Sequence, residues 1–318
     1  MKKRKKLFSA LYGVFLVLFA AFTLLEAFVI PQTYQVVGDT TVYSESVSND
    51  DTDHGRDQAQ EQEQEQEQET KTTEETIITE SSYFADGVSI EIQSYRVNDT
   101  TVYVADIILD DPESLKTAFA DNIYGKNITD TTSSILESTG GILAINGDYY
   151  SARDGYVIRN GILYSSESGG SDQEDLVIWE DGSMEVISES EVTAEQLLED
   201  GAVQVFCFGP GLVTDGQVSV GINDEVDQSM GSNPRTAIGW ISDTHYVMVV
   251  SDGRTDESEG LSLYELAEFM ESLGCETAYN LDGGGSSTMV FNGTVINKPT
   301  TNGNKIKERS VSDIVYIG

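Results

Sequence analysis

The chain contains few of the residues on which several common kinds of site depend. Only two of its 318 residues are cysteines and only two are histidines. There is no Cys-x-x-Cys pair and no cluster of histidines, which argues against a zinc site. Cys207 and Cys275 could pair in an exported protein, although two free buried thiols fit the sequence equally well.

Basic residues are also scarce. The 18 lysines and arginines are outnumbered by 55 acidic residues, which gives a formal net charge of −37. From Ser81 onward, eleven basic residues are accompanied by forty acidic ones. Such a surface repels the phosphate backbone, so we expect no nucleic-acid partner.

A serine nucleophile activated by histidine has little support. His245 is the only histidine after Ser81, and no serine lies in a Gly-x-Ser-x-Gly elbow. The residues left to carry chemistry are therefore carboxylates and arginines.

The first thirty residues predict a membrane anchor. Five basic residues precede residues 7–25, which contain no charge. Nineteen such residues can span a bilayer, whereas the apolar core of a cleaved signal peptide is usually shorter. Because basic residues stay on the cytoplasmic side, we expect a single-pass signal anchor over residues 1–30, with the rest of the chain extracellular. A cleaved signal peptide is the alternative.

Residues 31–80 predict an acidic, Glu/Gln-rich disordered linker. Residues 44–80 carry thirteen acids and two bases, and residues 61–69 alternate strictly between Glu and Gln. A segment so charged and so poor in apolar residues repels itself and cannot bury a core. We expect it to act as a spacer between the membrane and the following domain.

Residues 81–318 are long enough for one domain with a single large core. Strands outnumber helices and no regular strand–helix alternation appears, so we predict an α+β fold: one strand-rich, mixed-sheet domain with a few helices. Helices are predicted to begin at Pro112 and to cover 193–199 and 262–273. Apolar patterns predict strands at 88–95, 102–109, 142–145, 176–179, 185–187, 203–208, 236–240, 246–250, 277–281, 288–291 and 313–317.

The run Asp282-Gly283-Gly284-Gly285-Ser286-Ser287, between two predicted strands, is the most informative motif. Consecutive glycines lose much backbone entropy on folding and make sense where the backbone must approach a ligand closely. Their N–H groups can bind an anion. The alternative is a wide turn between two strands.

Three aspartates each follow a short apolar run that predicts a buried strand: Asp148, Asp252 and Asp282. If those strands share a direction, the three carboxylates gather at one rim. A pair of carboxylates beside anion-binding groups suits cleavage of a glycosidic bond. The same three aspartates could instead hold a calcium or magnesium ion, and each one could be an ordinary turn residue.

Six arginines follow Ser81, and three of them stand in or beside polar motifs. Arg235 lies in Asn-Pro-Arg-Thr-Ala, Arg254 in Asp-Gly-Arg, and Arg309 just before the last predicted strand. The planar guanidinium group can bind a phosphate with two hydrogen bonds. Ordinary salt bridges in an acidic protein are the alternative.

Six motifs occur in the order found in the phosphodiester glycosidase family, which the chain resembles over about residues 85–318. This is the family of the lysosomal uncovering enzyme, and many of its bacterial members are labelled exopolysaccharide biosynthesis proteins. The motifs lie at residues 146–150, 208–213, 233–239, 252–254, 280–288 and 309–313.

The resemblance implies hydrolysis of a sugar that is joined through its anomeric carbon to a phosphodiester. It implies Asp282 and Asp252 as the catalytic carboxylates. The sugar or a metal would be placed by Asn146 and Asp148, although family members often have another residue where Asp148 stands. No cofactor is certain, and a divalent cation is compatible. The implied phosphate- or substrate-binding residues are Arg235, Arg254, Arg309, Asn280, Gly283, Gly284, Gly285, Ser286 and Ser287.

Two other functions remain open from the sequence. A non-catalytic binder of anionic glycopolymers, or an exopolysaccharide assembly protein, would need the arginines and glycines but not the carboxylates. A metal-dependent phosphodiesterase would cut the P–O bond instead. In an anchored, exported chain we expect the substrate to be a sugar phosphodiester of envelope or exopolysaccharide material.

Overall fold

The computed structural model describes residues 2–37, 76–224, 231–303 and 305–318, with the backbone alone for residues 2–11. In the part of the chain whose side chains are described, no helix is both long and apolar enough to cross a membrane. The α-helices are α1 (Lys2–Phe28), α2 (Thr132–Thr139), α3 (Ala194–Glu199) and α4 (Leu263–Ser272). Short 3-10 helices occur at Pro112–Ser114, Ala120–Asn122, Tyr150–Ala152 and Gly284–Ser286.

Strands make up most of the fold. The first twelve are β1 (Gln32–Val36), β2 (Ile77–Ile78), β3 (Ser82–Ala85), β4 (Val88–Val97), β5 (Thr100–Leu109), β6 (Leu115–Phe119), β7 (Ile123–Lys126), β8 (Asp130–Thr131), β9 (Leu143–Asn146), β10 (Val157–Arg159), β11 (Ile162–Ser165) and β12 (Glu174–Trp179). The others are β13 (Met184–Ser188), β14 (Ala202–Phe206), β15 (Gly211–Thr214), β16 (Gln217–Val218), β17 (Arg235–Ser242), β18 (His245–Ser251), β19 (Thr277–Leu281), β20 (Met289–Phe291), β21 (Thr294–Val295), β22 (Thr300–Thr301), β23 (Lys305–Ile306), β24 (Ser310–Val311) and β25 (Asp313–Ile317).

Three sheets form the body of the domain. A nine-stranded sheet has the order β16-β15-β19-β17-β18-β5-β4-β3-β2. Two five-stranded sheets have the orders β21-β20-β9-β25-β6 and β11-β10-β14-β12-β13. Pairs of short strands, β1-β7, β22-β23 and β24-β8, lie at the margins. Every strand pair in the part of the chain that the structure describes is antiparallel, so the predicted mixed sheet is wrong on this point.

The main core lies where the three sheets face one another. Its buried side chains include Ile107 and Met248 from the nine-stranded sheet, Ile145 from the first five-stranded sheet, and Leu176 from the second. On the other face of the nine-stranded sheet, Val247 and Val249 pack beneath α4. Because successive side chains of a strand point to opposite faces, burial on both faces explains why β18 is a continuous apolar run.

Most of the predicted elements are confirmed. Every predicted strand is present, with ends that differ by two residues or fewer. Helix α4 begins with the expected capping box, in which the side chains of Ser262 and Glu265 bond each other's backbone N–H. Its predicted apolar stripe of Leu263, Leu266, Ala267 and Met270 is buried.

The helix predicted from Pro112 is wrong beyond its first turn. Asp111 caps a single 3-10 turn, and the chain then enters β6, where Leu115, Thr117 and Phe119 are buried alternately against β25. Pairing with β25 therefore overrides the local helix signal. Helix α2 was not predicted from the sequence, because its serines and threonines are weak helix formers. It is held by the Thr131 cap and by buried Ile135 and Leu136.

The predicted linker is wrong at both of its ends. Gln32–Val36 is strand β1 and pairs with β7, and Ile77–Ile78 is strand β2 and pairs with β3. Residues 38–75, which carry most of the acidic run, lie outside the described residues. Cys207 and Cys275 are both buried and free.

Candidate active site

The register of three strands brings two of the predicted aspartates to one sheet edge. Strand β17 begins at Arg235, which faces Ser251 at the end of β18, while Thr236 faces Leu281 at the end of β19. Because β18 and β19 both run antiparallel to β17, they run parallel to each other. Asp252 and Asp282 therefore leave the sheet at the edge where Arg235 enters it, as the sequence pattern predicted.

Strand β9 joins this edge from the neighbouring sheet. Asn146 Nδ2 donates to the carbonyl of Asp282 at 2.6 Å, and Asn146 Oδ1 accepts from Thr236 Oγ1 at 2.9 Å. The Asp282 N–H in turn donates to the carbonyl of Gly147 at 3.2 Å. Asn146 is fully buried, so its side chain ties the two sheets together beneath the site.

Two cavities open at this edge. The first, of about 410 Å³, is called here the arginine cavity and contains Arg153, Arg235 and Arg254. The second, of about 430 Å³, is called the helix-end cavity because Phe28 and Val29, at the end of α1, contribute to it. The residues that line both cavities are Tyr149, Asp282 and Arg309.

Asp282, Ser286 and Arg309 form a hydrogen-bonded group between the cavities, called here the open cluster. Arg309 Nη2 lies 2.9 Å from Asp282 Oδ2, and Arg309 Nε donates to Ser286 Oγ at 2.9 Å. Ser286 Oγ also donates to Asp282 Oδ2. Burial raises the pKa of Asp282, while Arg309, Ser286 and Arg153 act to lower it. Asp282 is the only carboxylate that lines either cavity in the part of the chain that the structure describes.

The arginine cavity concentrates positive charge in an otherwise acidic protein. Arg235 is buried, and its Nε donates to the carbonyl of Leu261 at 2.8 Å. Arg254 donates from two nitrogens to Asn233 Oδ1. Arg153 lies 4.2 Å from the centre of the Phe208 ring and donates to the Phe208 carbonyl at 3.1 Å. Guanidinium groups gathered at one cavity give it a positive charge that favours an anion.

The glycine run allows a close approach of the backbone to Arg254. Gly284 has φ +63°, and a Cβ there would lie 2.9 Å from Arg254 Nη2. A side chain at Gly284 would therefore displace the arginine and strain the backbone. The Gly284 amide itself donates to the Pro234 carbonyl at 2.8 Å, so it is not available to an anion.

Asn280 lines the arginine cavity. Its Nδ2 donates to the Gly209 carbonyl at 2.8 Å, while its buried Oδ1 has no hydrogen-bond partner among the described residues. An unsatisfied buried acceptor is costly unless a ligand completes it. A sugar hydroxyl is a donor of the kind this position can use.

Asp148 belongs to a different group, called here the closed cluster, with Arg159 and Asp313. Arg159 Nη2 lies 2.9 Å from Asp148 Oδ1 and 3.0 Å from Asp313 Oδ2. Asp148 also accepts from the backbone N–H of Tyr150 and Cys207. None of the three side chains lines either cavity. Asp148 and Asn146 are thus bonded within the protein and lie outside both cavities, and their sugar- or metal-placing roles stay predictions.

Asp252 also lies outside both cavities, and its catalytic role stays a prediction. It is buried, its Oδ1 accepts from the Lys298 N–H at 2.7 Å, and it lines neither cavity. The sheet edge is shared with Asp282, but the Asp252 side chain is turned to the segment at Lys298. Ser287 is likewise bonded within the protein, to Thr236 Oγ1 at 3.1 Å.

Several residues that line the cavities were not assigned to the site from the sequence, among them Arg153, Tyr149 and Phe208. Tyr149 and Phe208 lie within two of the motifs that carry the family resemblance, and Arg153 follows the first of these motifs closely. Tyr149 has φ +56°, a conformation that a tyrosine seldom adopts. The two motifs are the only sequence signal that indicates a site role for these residues.

In the described residues, no group of three or more His, Cys, Asp or Glu side chains is placed to hold a metal ion. Each of the three aspartates considered for a cation is instead bonded to protein groups: Asp148 to Arg159, Asp252 to Lys298, and Asp282 to Arg309.

A family model described as phosphodiester glycosidase matches residues 139–318. The chain is 32% identical over 179 residues to the SPbeta prophage-derived uncharacterized protein YomE of Bacillus subtilis, covering 55% of this chain and 28% of that protein. It is 31% identical over 176 residues to the mouse N-acetylglucosamine-1-phosphodiester alpha-N-acetylglucosaminidase, covering 50% of this chain and 33% of the mouse protein. The chain thus matches about a third of the length of these relatives.

The fold is also found in a solved structure. The catalytic domain of the zebrafish N-acetylglucosamine-1-phosphodiester alpha-N-acetylglucosaminidase, auto-inhibited by its pro-peptide, superposes with a TM-score of 0.57 and 21% identity. The similarity covers 72% of this chain and 82% of the zebrafish domain.

Proposed function

The chain belongs to the phosphodiester glycosidase family, and from this premise we propose that it hydrolyses a sugar-1-phosphodiester. The bond broken joins the anomeric carbon to the phosphate oxygen. Water supplies a hydroxyl to the anomeric carbon, and the phosphate leaves as a phosphomonoester. The named activity of the mouse relative, on N-acetylglucosamine-1-phosphodiesters, supports this substrate class.

The observation that carries the proposal is one carboxylate held among arginines. Asp282 lines both cavities, and Arg153, Arg235, Arg254 and Arg309 line the arginine cavity with it. Guanidinium groups stabilise the charge of the leaving phosphate, which reduces the need for a second carboxyl group as acid.

Asp282 acts in its ionised form in this proposal. Arg309 and Ser286 both donate to its carboxylate, which favours the charged state. An ionised carboxylate beside the anomeric carbon can accept a proton from the attacking water or stabilise the developing oxocarbenium charge. Asn280, which lines the same cavity and has an amide oxygen without a partner among the described residues, would accept from a sugar hydroxyl.

The test uses UDP-N-acetylglucosamine, a soluble sugar-1-phosphodiester, in oxygen-labelled water, with and without a chelator. Free sugar labelled at the anomeric carbon is the expected product, and its yield should not depend on the chelator. Label in the phosphate would instead identify a phosphodiesterase. If neither this compound nor teichoic-type glycosyl phosphates release sugar, a binder of anionic glycopolymers becomes the better explanation.

We also propose that the protein works outside the cytoplasm, attached to the cell membrane through its N-terminal segment, on envelope or exopolysaccharide material. The support is the sequence, in which basic residues precede the uncharged residues 7–25. Protease treatment of intact cells should digest the C-terminal region, and alkaline extraction should leave the chain in the membrane fraction. Release by alkaline extraction would contradict the anchor.

A further inference from the structure

The helix-end cavity suggests what the second ester of the substrate is. Resting on the proposed function, we infer that this cavity binds the alcohol portion of the phosphodiester, and that this alcohol is a long apolar chain. The substrate class is then a lipid-linked glycosyl phosphate, with the sugar in the arginine cavity and the lipid chain leaving past Phe28 and Val29.

The first support is that the two cavities adjoin each other. Tyr149, Asp282 and Arg309 line both, so a phosphodiester bound beside Arg309 has one cavity on either side. A phosphodiester carries two substituents. The side with the buried acceptor Asn280 and three further arginines suits the polar sugar and the phosphate. The other substituent is left with the helix-end cavity, which Phe28 and Val29 line together with polar residues, Asn127, Thr129 and Ser310 among them.

The second support is that the end of α1 is fixed in place beside the open cluster. Asn127 Nδ2 donates to the carbonyls of Ala27 and Ile30, at 3.4 and 3.1 Å. Directly after the helix, strand β1 pairs with β7, the strand that precedes Asn127. Phe28 and Val29 are therefore held against the folded domain at a set position relative to Asp282.

The third support is the apolar surface that begins at this cavity. Phe28 is 75% exposed and Val29 is 61% exposed. The side chains of α1 from Tyr12 to Leu25 are also exposed, and most of them are large and apolar. A helix that is apolar on all sides and not packed against its own domain requires apolar surroundings. A lipid chain leaving the helix-end cavity would enter the same surroundings.

The experiment compares two substrates that differ only in the alcohol: the methyl and the farnesyl esters of N-acetylglucosamine-1-phosphate. The 318-residue chain is assayed in detergent micelles at one detergent concentration, and kcat/KM is measured for each ester. The farnesyl ester should be preferred by about tenfold or more, as expected when an apolar chain is removed from water. Phe28→Ser and Val29→Ser should each lower this preference by about threefold or more.

Ile108→Ser is the matched control. Ile108 is an exposed aliphatic residue of β5 that pairs with His245, at the opposite end of the sheet from Ser251. It should leave both rates and their ratio unchanged. Because the ratio is measured, a loss of folded protein in any variant cancels.

Each other outcome has a distinct meaning. An equal rate on both esters, or a preference that Phe28→Ser and Val29→Ser leave intact, overturns the lipid assignment while the proposed function stands. A rise in methyl-ester hydrolysis in both variants also overturns it, since the segment would then be a cover over the site. If neither ester is hydrolysed, the proposed function fails, and binding of the two esters to the same variants by calorimetry then decides the lipid assignment.

Discussion

The open and closed clusters contain the same kinds of side chain in very different surroundings. In the closed cluster, the side chains of Arg159, Asp148 and Asp313 are at most 1% exposed. In the open cluster, Arg309 is 44% exposed and Asp282 is 12% exposed. Gly147 connects the two clusters: its N–H donates to the Asp313 carbonyl, and its carbonyl accepts from the Asp282 N–H. The closed cluster thus helps to fix the backbone of Asp282, a residue of the open cluster.

The difference shows that residue type alone does not identify a site. Burial raises the pKa of both Asp282 and Asp313. In the closed cluster, however, Arg159 has its donors engaged by two carboxylates and by the carbonyls of Ile158 and Val205. Arg309 is half-exposed at the junction of two cavities, so it can contact a bound phosphate. Access therefore distinguishes the two arginines: a ligand can reach Arg309, whereas Arg159 is enclosed by protein groups.

Replacing Arg159 should give the largest effect, on stability. Arg159→Met leaves two buried carboxylates without their cation, and we expect the free energy of unfolding to fall by about 3–5 kcal/mol. Urea denaturation measures this loss. Arg309→Met, the control in the open cluster, should cost about 1 kcal/mol or less because that pair is partly exposed. Equal losses in the two variants would contradict the distinction between the clusters.

Replacing Asp282 should give the next largest effect, on activity. Asp282→Asn keeps the shape of the side chain but removes the negative charge beside the reacting carbon, so kcat should fall about a thousandfold. The midpoint of thermal unfolding should change little. Asp148→Asn is the counterpart in the closed cluster and should reduce stability more than kcat in the fraction that folds. A variant Asp282→Asn that retains activity would remove Asp282 from the mechanism.

The pH dependence of activity offers a finer test of the open cluster. Because burial raises the pKa of Asp282, activity should rise with pH through a value above that of an ordinary aspartate. Ser286→Ala removes a hydrogen bond that favours the carboxylate, so the acid limb of kcat/KM should move to higher pH. The corresponding variant outside the site, Ser312→Ala, should leave the acid limb in place. A limb that moves to lower pH in Ser286→Ala would contradict the assignment.

Replacing Asp252 should give the smallest effect. Asp252→Asn keeps an acceptor for the Lys298 N–H, and the side chain lines neither cavity. We therefore expect kcat/KM to change by about threefold or less, within the range of a conservative structural substitution. A loss as large as that of Asp282→Asn would restore Asp252 to the catalytic pair that the family resemblance implied.

The sequence predicted individual elements better than the direction of side chains. Apolar runs and caps were sufficient for α4 and for five strands of the nine-stranded sheet: β4, β5, β17, β18 and β19. The other four strands of that sheet, β2, β3, β15 and β16, were not predicted. The shared edge of Asp252 and Asp282 was predicted as well. What the pattern could not show was that Asp252 turns to Lys298, since that contact joins residues 46 positions apart.

Other features depended on contacts with even less local signal. Asp148 resembled a site residue because it follows an apolar strand, yet it pairs with Arg159 of β10, which also pairs with Asp313 near the end of the chain. The pairing of β1 with β7 brings together segments about ninety residues apart, and nothing in Gln32–Val36 distinguishes it from the polar residues that follow. Long-range pairing of this kind is invisible to periodicity.

The pairing of β1 with β7 changes what the acidic segment can do. Both of its flanks, β1 on one side and β2 on the other, are strands of the same folded body, so its contour length does not set the distance between α1 and the open cluster. The entropic cost of holding the two ends of a chain segment together rises only slowly with the length of the segment. Evolution, or an engineer, could therefore lengthen, shorten or exchange residues 38–75 while leaving the geometry of the site as it is.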